Sequence, residues 1–100
     1  MDIRTQSIHF DADGKLLDFI DKKVGKLNTF LDRIVSADVI MKLEKTGQVQ
    51  DKVVEVKLNV PGNVLLAKET CKSFEEAVDL CVESLRRQLL KYKGKVLDRQ

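Results

Sequence analysis

Apolar positions along the chain switch between a period of two and a period near 3.6, and the switches delimit the elements. Asp2 to Phe10 alternates in chemistry, Ile3 against Arg4 and Ile8 against His9, and its short length fits a first strand. Asp11 and Asp13 then offer N-caps, and Leu17, Ile20, Val24, Leu27 and Leu31 follow helical spacing to about Asp32. Period two returns from Ile34 to Lys45, with Val35, Ala37, Val39, Met41 and Leu43 on one face, until Thr46-Gly47-Gln48 breaks it. Lys52 to Val60 alternates again, and Val60-Pro61-Gly62-Asn63 carries Pro and Gly at the central positions of a type II turn. Val64 to Thr70 is the hairpin partner. Ser73 then caps a second helix, reaching about Lys95, with Glu76 completing a capping-box signature.

The predicted order is strand, helix, strand, strand, strand, helix. Three hairpin-connected strands make an antiparallel sheet, and a right-handed crossover through the first helix sets strand one parallel to a neighbour. Each strand has one apolar face and each helix one apolar stripe. The economical packing is therefore an α+β fold, β-α-β-β-β-α, with two helices on one face of a four-stranded mixed sheet. One hundred residues, with one Pro, five Gly and no low-complexity tract, fit a single domain spanning 1–100.

Charge changes the picture from fold to function. Leu85 to Gln100 holds six Lys/Arg (Arg86, Arg87, Lys91, Lys93, Lys95, Arg99) against Asp98 alone, a net of +5. Residues 1–84 hold 12 bases and 15 acids, a net of −3, so the overall +2 hides a polarised chain. Such asymmetry points to a polyanionic partner, although Glu75, Glu76, Asp79 and Glu83 early in the helix and bases late in it also suit a helix dipole. The first helix weighs in. On a helical wheel Lys15, Lys22, Lys26 and Arg33 fall within about 40° of one another, with Lys23 just beyond, roughly opposite Leu17, Val24 and Leu31. With both helices on one side of a sheet, that row would continue into Arg86, Arg87, Lys91 and Lys93, a surface able to track phosphates. Phe19 and Phe30, between the basic row and the core, are read as core margin ahead of a base-stacking edge.

Other classes find little support. The chain has one histidine, His9, no Gly-rich phosphate loop and no nucleophile elbow, and Asp11 and Asp13 are explained by capping, so no enzyme is expected. Cys71 and Cys81 lie ten positions apart without clustered His, which favours reduced, buried thiols over a metal site; serine at Cys81 is expected to leave a buried hydroxyl unpartnered. The N-terminus lacks an apolar leader, and no stretch is long enough for a membrane span, so a cytoplasmic protein without cofactor, metal, membrane or small-molecule substrate is expected.

The helix opening Ser73-Phe74-Glu75-Glu76-Ala77-Val78-Asp79 and its close Leu85-Arg86-Arg87-Gln88-Leu89-Leu90-Lys91-Tyr92-Lys93-Gly94-Lys95 resemble the ribosome hibernation factors, as does Val24-Gly25-Lys26-Leu27 ahead of Phe30. The resemblance covers essentially the whole chain. It implies a domain seated in the small ribosomal subunit between head and body, over the sites of messenger RNA and A- and P-site transfer RNA, inactivating ribosomes under stress or in stationary phase. Carried over by position, Lys22, Lys23 and Lys26 of the first helix and Arg87, Lys91, Lys93 and Lys95 of the second would meet ribosomal RNA. Arg33 and Arg86 join them from the charge pattern. Members of the family often carry Lys where this chain has Ser84 and a small or acidic residue where it has Arg86, so the charge sits two positions later here. Ending at Gln100, the chain looks like the family's short form, expected to be a monomer off the ribosome.

The residues alone leave two other readings open. One is a general double-stranded RNA-binding module, and the other an adaptor for an acidic protein. Sedimentation of a stationary-phase lysate separates them, because only a hibernation factor travels with ribosomal particles.

Overall fold

The protein is represented by a computed structural model that describes residues 1–46 and 49–98, with side chains described at 1–45 and 51–94. In chain order the elements are β1 (Asp2–Ile8), α1 (Gly14–Gly25), a 3-10 turn (Lys26–Thr29), β2 (Ser36–Thr46), β3 (Val49–Val60), β4 (Asn63–Cys71) and α2 (Phe74–Asp98). The strands lie in the order β1-β2-β3-β4. β1 runs parallel to β2, from Asp2 opposite Ser36 to Ile8 opposite Lys42, and the other pairings are antiparallel. The β-α-β-β-β-α order and the mixed sheet match the sequence-based expectation.

Period two becomes a buried sheet face because alternate side chains share one side. Ala37, Val39 and Met41 of β2, Val54, Val56 and Leu58 of β3, and Leu65 and Ala67 of β4 belong to one continuous core. Ala77, Val78, Cys81, Leu85 and Leu89 of α2 close it from above, beside Leu16, Ile20, Val24 and Leu27. Burying each larger aliphatic side chain contributes roughly 1.5–3 kcal/mol, which anchors both helices to one face. Phe10, between β1 and α1, stacks on Phe74 at the start of α2 with ring centroids 4.5 Å apart.

Side chains punctuate the elements as the sequence suggests. The Leu16 N–H donates to Asp13 Oδ1 at 2.8 Å to cap α1, and the Glu76 N–H donates to Ser73 Oγ at 3.1 Å to cap α2. Gly62 takes φ +75° in the β3–β4 turn, a conformation that disfavours residues with a Cβ. Two further bonds fix the position of α2 along the sheet. Gln88 Nε2 donates to the Leu66 carbonyl at 2.9 Å, and the Tyr92 hydroxyl donates to the Pro61 carbonyl at 2.6 Å.

The first helix departs from its expected span. The α-helix stops at Gly25, seven residues short of Asp32, and tightens into the 3-10 turn, where Thr29 Oγ1 donates to the Lys26 carbonyl at 2.7 Å. Gly25 and Thr29 explain the change: glycine is a poor helix former, and the Thr29 hydroxyl competes for a backbone carbonyl. Arg33 is consequently not on a helix at all. It lies exposed in the segment leading to β2, and the wheel that grouped it with Lys22 and Lys26 does not apply there. The buried stripe also differs from the expected one. Leu16, Ile20, Val24 and Leu27 form the buried row, whereas Leu17 and Leu31 are only half-buried. Val35 stands outside β2 and is 62% exposed.

The sheet face away from the helices is polar at its β1–β2–β3 end. Arg4 pairs with Asp38 at 3.0 Å and donates to Ser36 Oγ at 3.1 Å, while Asn59 Nδ2 donates to Ser36 Oγ at 2.8 Å. This network engages Arg4, Ser36, Asp38 and Asn59 with one another, while Lys57, opposite Asp38, and Lys68 of β4 stay exposed on the same face.

Candidate nucleic-acid interface

Lys22, Lys23 and Lys26 come within five residues at the end of α1, and the helix places them differently. Lys22 and Lys26 are exposed. Lys23 is turned towards α2, where its Nζ lies 3.3 Å from Asp79 Oδ1 and 5.6 Å from the centroid of the Phe19 ring. One cation of the predicted row therefore forms an ion pair between the helices. That exposed pair contributes little stability, on the order of 0–1 kcal/mol, but it sets the two helical faces against each other.

Arg86 is occupied in a similar way. Its guanidinium grips Glu83 one turn earlier, Nη2 to Oε1 at 2.6 Å and Nε to Oε2 at 3.3 Å. The hydrogen bond from Arg86 holds the Glu83 carboxyl below the usual carboxylate range, and the same bond raises the Arg86 guanidinium. At neutral pH both partners stay charged and largely cancel one another.

Helical periodicity divides the remaining bases of α2 between two flanks. Arg86 lines a cleft with Lys23, Lys26, Thr29, Phe30, Asp79, Val82 and Glu83, and Lys93, seven residues on, falls on the same side. Lys91 borders Asn63, Leu65, Gln88 and Tyr92 on the β4 side, and Arg87 precedes it by one turn. The expected single row across both helices is thus resolved into an inter-helix group, Lys23, Lys26 and Arg86, and an outer group, Arg87 and Lys91. Arg87, Lys91 and Lys93 are exposed and have no salt-bridge partner among the described side chains. The side chain of Lys95 lies outside the described residues, as does Arg99.

The acidic partners and the cleft escaped the sequence reading. In sequence Asp79 and Glu83 read as complements of the helix dipole, and which lysine of α1 each faces depends on how far one helix is displaced along the other. Phe30 and Val82 are half-buried against the core, in keeping with the core-margin reading, and they also line the cleft. Among the described residues no group of His, Cys, Asp or Glu could hold a metal ion, and no helix is long and apolar enough to cross a membrane.

This arrangement, two helices on one side of a β-β-β sheet reached through a parallel crossover, is shared with known proteins. Residues 3–97 match the profile of the family described as "Sigma 54 modulation protein / S30EA ribosomal protein". The chain belongs to this family, that of the ribosome hibernation factors. A protein of Azotobacter vinelandii named ribosome hibernation promoting factor is 33% identical over 100 residues, covering 100% of this chain and 90% of the relative. A protein of the same name from Pseudomonas putida is 32% identical over 95 residues, 95% of this chain and 89% of its own. Among solved structures, a ribosomal subunit interface protein from Coxiella burnetii superposes with a TM-score of 0.84 at 26% identity, covering 94% of this chain and 99% of that one. The family is one of non-enzymatic, ribosome-binding proteins.

Proposed function

We propose that this protein is a ribosome hibernation factor that occupies the messenger RNA and A- and P-site transfer RNA channel of the small ribosomal subunit. The observation that carries the reading is the concentration of exposed bases on the helical side with no salt-bridge partner among the described residues (Lys22, Lys26, Arg87, Lys91, Lys93), in a chain that aligns over its full length with 90% of a ribosome hibernation promoting factor. Each base that neutralises a phosphate releases condensed counterions, so such a surface binds structured RNA without reading its sequence. Rigidity helps. α2 is locked to the sheet through Gln88 and Tyr92, so its bases meet RNA with little ordering cost.

In this reading the protein stores ribosomes inactive under stress or in stationary phase, acts in the cytoplasm of a bacterial cell, needs no cofactor, and works as one RNA-binding domain that is monomeric off the ribosome. Lys22, Lys26, Arg87, Lys91 and Lys93 make the principal phosphate contacts, and Lys95, which matches the family by sequence position, joins them. Lys23 and Arg86 contribute less because their charges are partly cancelled, and Arg33 contributes from the loop. The test is competition on isolated small subunits. Increasing P-site transfer RNA should displace the protein, and simultaneous binding without mutual weakening would refute occlusion.

A further inference from the structure

The cleft between α1 and α2 differs in kind from the convex basic surface around it. It encloses about 540 Å³, within the general range of roughly 300–1,000 Å³ for small-ligand clefts. Its lining is apolar at depth, where Phe30 and Val82 pack against the core, and charged at the rim, where Lys23, Lys26 and Arg86 stand with Asp79 and Glu83. The acids are already engaged, Asp79 by Lys23 at 3.3 Å and Glu83 by both nitrogens of Arg86. Lys26 has no salt-bridge partner among the described residues, and it gives the mouth a positive bias.

We propose that this cleft receives one unpaired nucleotide of single-stranded RNA, its base against Phe30 and Val82 and a flanking phosphate at Lys26. The inference rests on the RNA-binding function proposed above and assigns that surface a second mode of contact. Charge complementarity selects the occupant. An acidic peptide would answer the bias of Lys26 but would leave the apolar floor empty, and a duplex hides its base faces in its own stack and presents only phosphate and groove to a surface. A splayed-out nucleotide alone supplies both an apolar plane and adjacent negative charge. Stacking of a base on an aromatic side chain is general in single-strand binders and tolerates any base identity, so the slot needs no sequence preference.

The chain contains no tryptophan, so Phe30→Trp places one fluorophore at the floor of the cleft. A short single-stranded oligouridylate should quench it on binding, whereas the same oligonucleotide with one abasic position at its centre, a blunt RNA duplex and an acidic heptapeptide should quench much less. In parallel, Phe30→Leu should weaken binding of the oligonucleotide about ten-fold, the scale set by base stacking, while the salt dependence stays that of the parent. Lys26→Gln should do the reverse and flatten that dependence. Circular dichroism confirms folding of each variant, and Phe30→Tyr, which keeps an aromatic ring, should retain affinity and replaces the tryptophan variant if that one fails to fold. Equal quenching by intact and abasic strands, stronger quenching by duplex or peptide, or parental affinity in Phe30→Leu overturns the slot. A parent protein that fails to bind small subunits at all overturns the underlying reading, and the two failures are told apart because the first leaves subunit binding intact.

Discussion

Replacing Arg87 and Lys91 together by Ala tests the outer group most directly. The two residues are one turn apart on α2, both exposed, and neither forms a salt bridge among the described residues, so their removal breaks no partner and leaves no buried charge. Surface changes of this kind usually move stability by about 0.5 kcal/mol or less each, and the melting temperature should hardly shift. Binding is another matter. Each phosphate contact contributes a slope of roughly 0.7 to 0.9 in log affinity against log salt, so losing two flattens the slope by about 1.4 to 1.8. Over a four-fold rise in salt, from about 50 to 200 mM, the advantage of the parent over the variant should therefore shrink by about seven- to twelve-fold. Equilibrium binding to isolated small subunits at four salt concentrations measures this. A variant that binds more weakly with an unchanged slope would show that Arg87 and Lys91 do not touch phosphate, and would return them to the role of complementing the dipole of α2.

Three further outcomes follow from the geometry. Glu83→Gln should release Arg86 and tighten small-subunit binding a few-fold at low salt with a steeper salt slope, and unchanged or weaker binding would contradict the cancellation described here. Burial first, then the nearby Glu69 and Cys71, pushes the Cys81 thiol up to about 12. The folded state thus retains a proton that the unfolded chain loses from about pH 9, and the thiol's contribution should be constant below that pH and decline between about 9 and 12. A Cys81→Ala variant should lack that decline in matched denaturation curves. One substitution should also have opposite effects at two glycines that both have open space at the Cβ position: Gly62→Ala, at φ +75°, should lose about 1–2 kcal/mol, whereas Gly25→Ala, ending α1, should gain about 0.5–1 kcal/mol, as read by chemical unfolding.

The features that the sequence made legible are local ones. Alternation in Lys52 to Val60, the Pro61-Gly62 turn and the caps at Asp13 and Ser73 depend on neighbours within a few residues, and the structure has them where the pattern put them. The end of α1 was less legible because five well-spaced apolar residues outweighed the weak helix formers Gly25, Asn28 and Thr29. The candidate interface was legible in composition but not in arrangement. Whether Lys23 meets solvent or Asp79 is decided by the offset between two helices that three strands separate in sequence, and no periodicity within either helix encodes that offset. Cys81 illustrates the same limit: its Sγ lies 3.5 Å from the Val54 carbonyl, so a serine there has an acceptor that the sequence did not reveal, and its cost should fall toward the low end of about 1–3 kcal/mol.

The parallel pairing of β1 with β2 also governs how the chain comes together. β2, β3, β4 and α2 follow one another with short connections, and their contacts close small loops. Asp2, by contrast, waits for Ser36, with all of α1 between them. Closing that longer loop costs more entropy before any pairing rewards it, so the hairpins and α2 should assemble first and β1 should dock last. On a chain made from its N-terminus, β1 emerges ahead of β2, and it remains an unpaired edge until β2 has left the exit tunnel. The polar residues Arg4, Thr5 and Gln6 in its middle keep that waiting strand poorly suited to pairing with another copy.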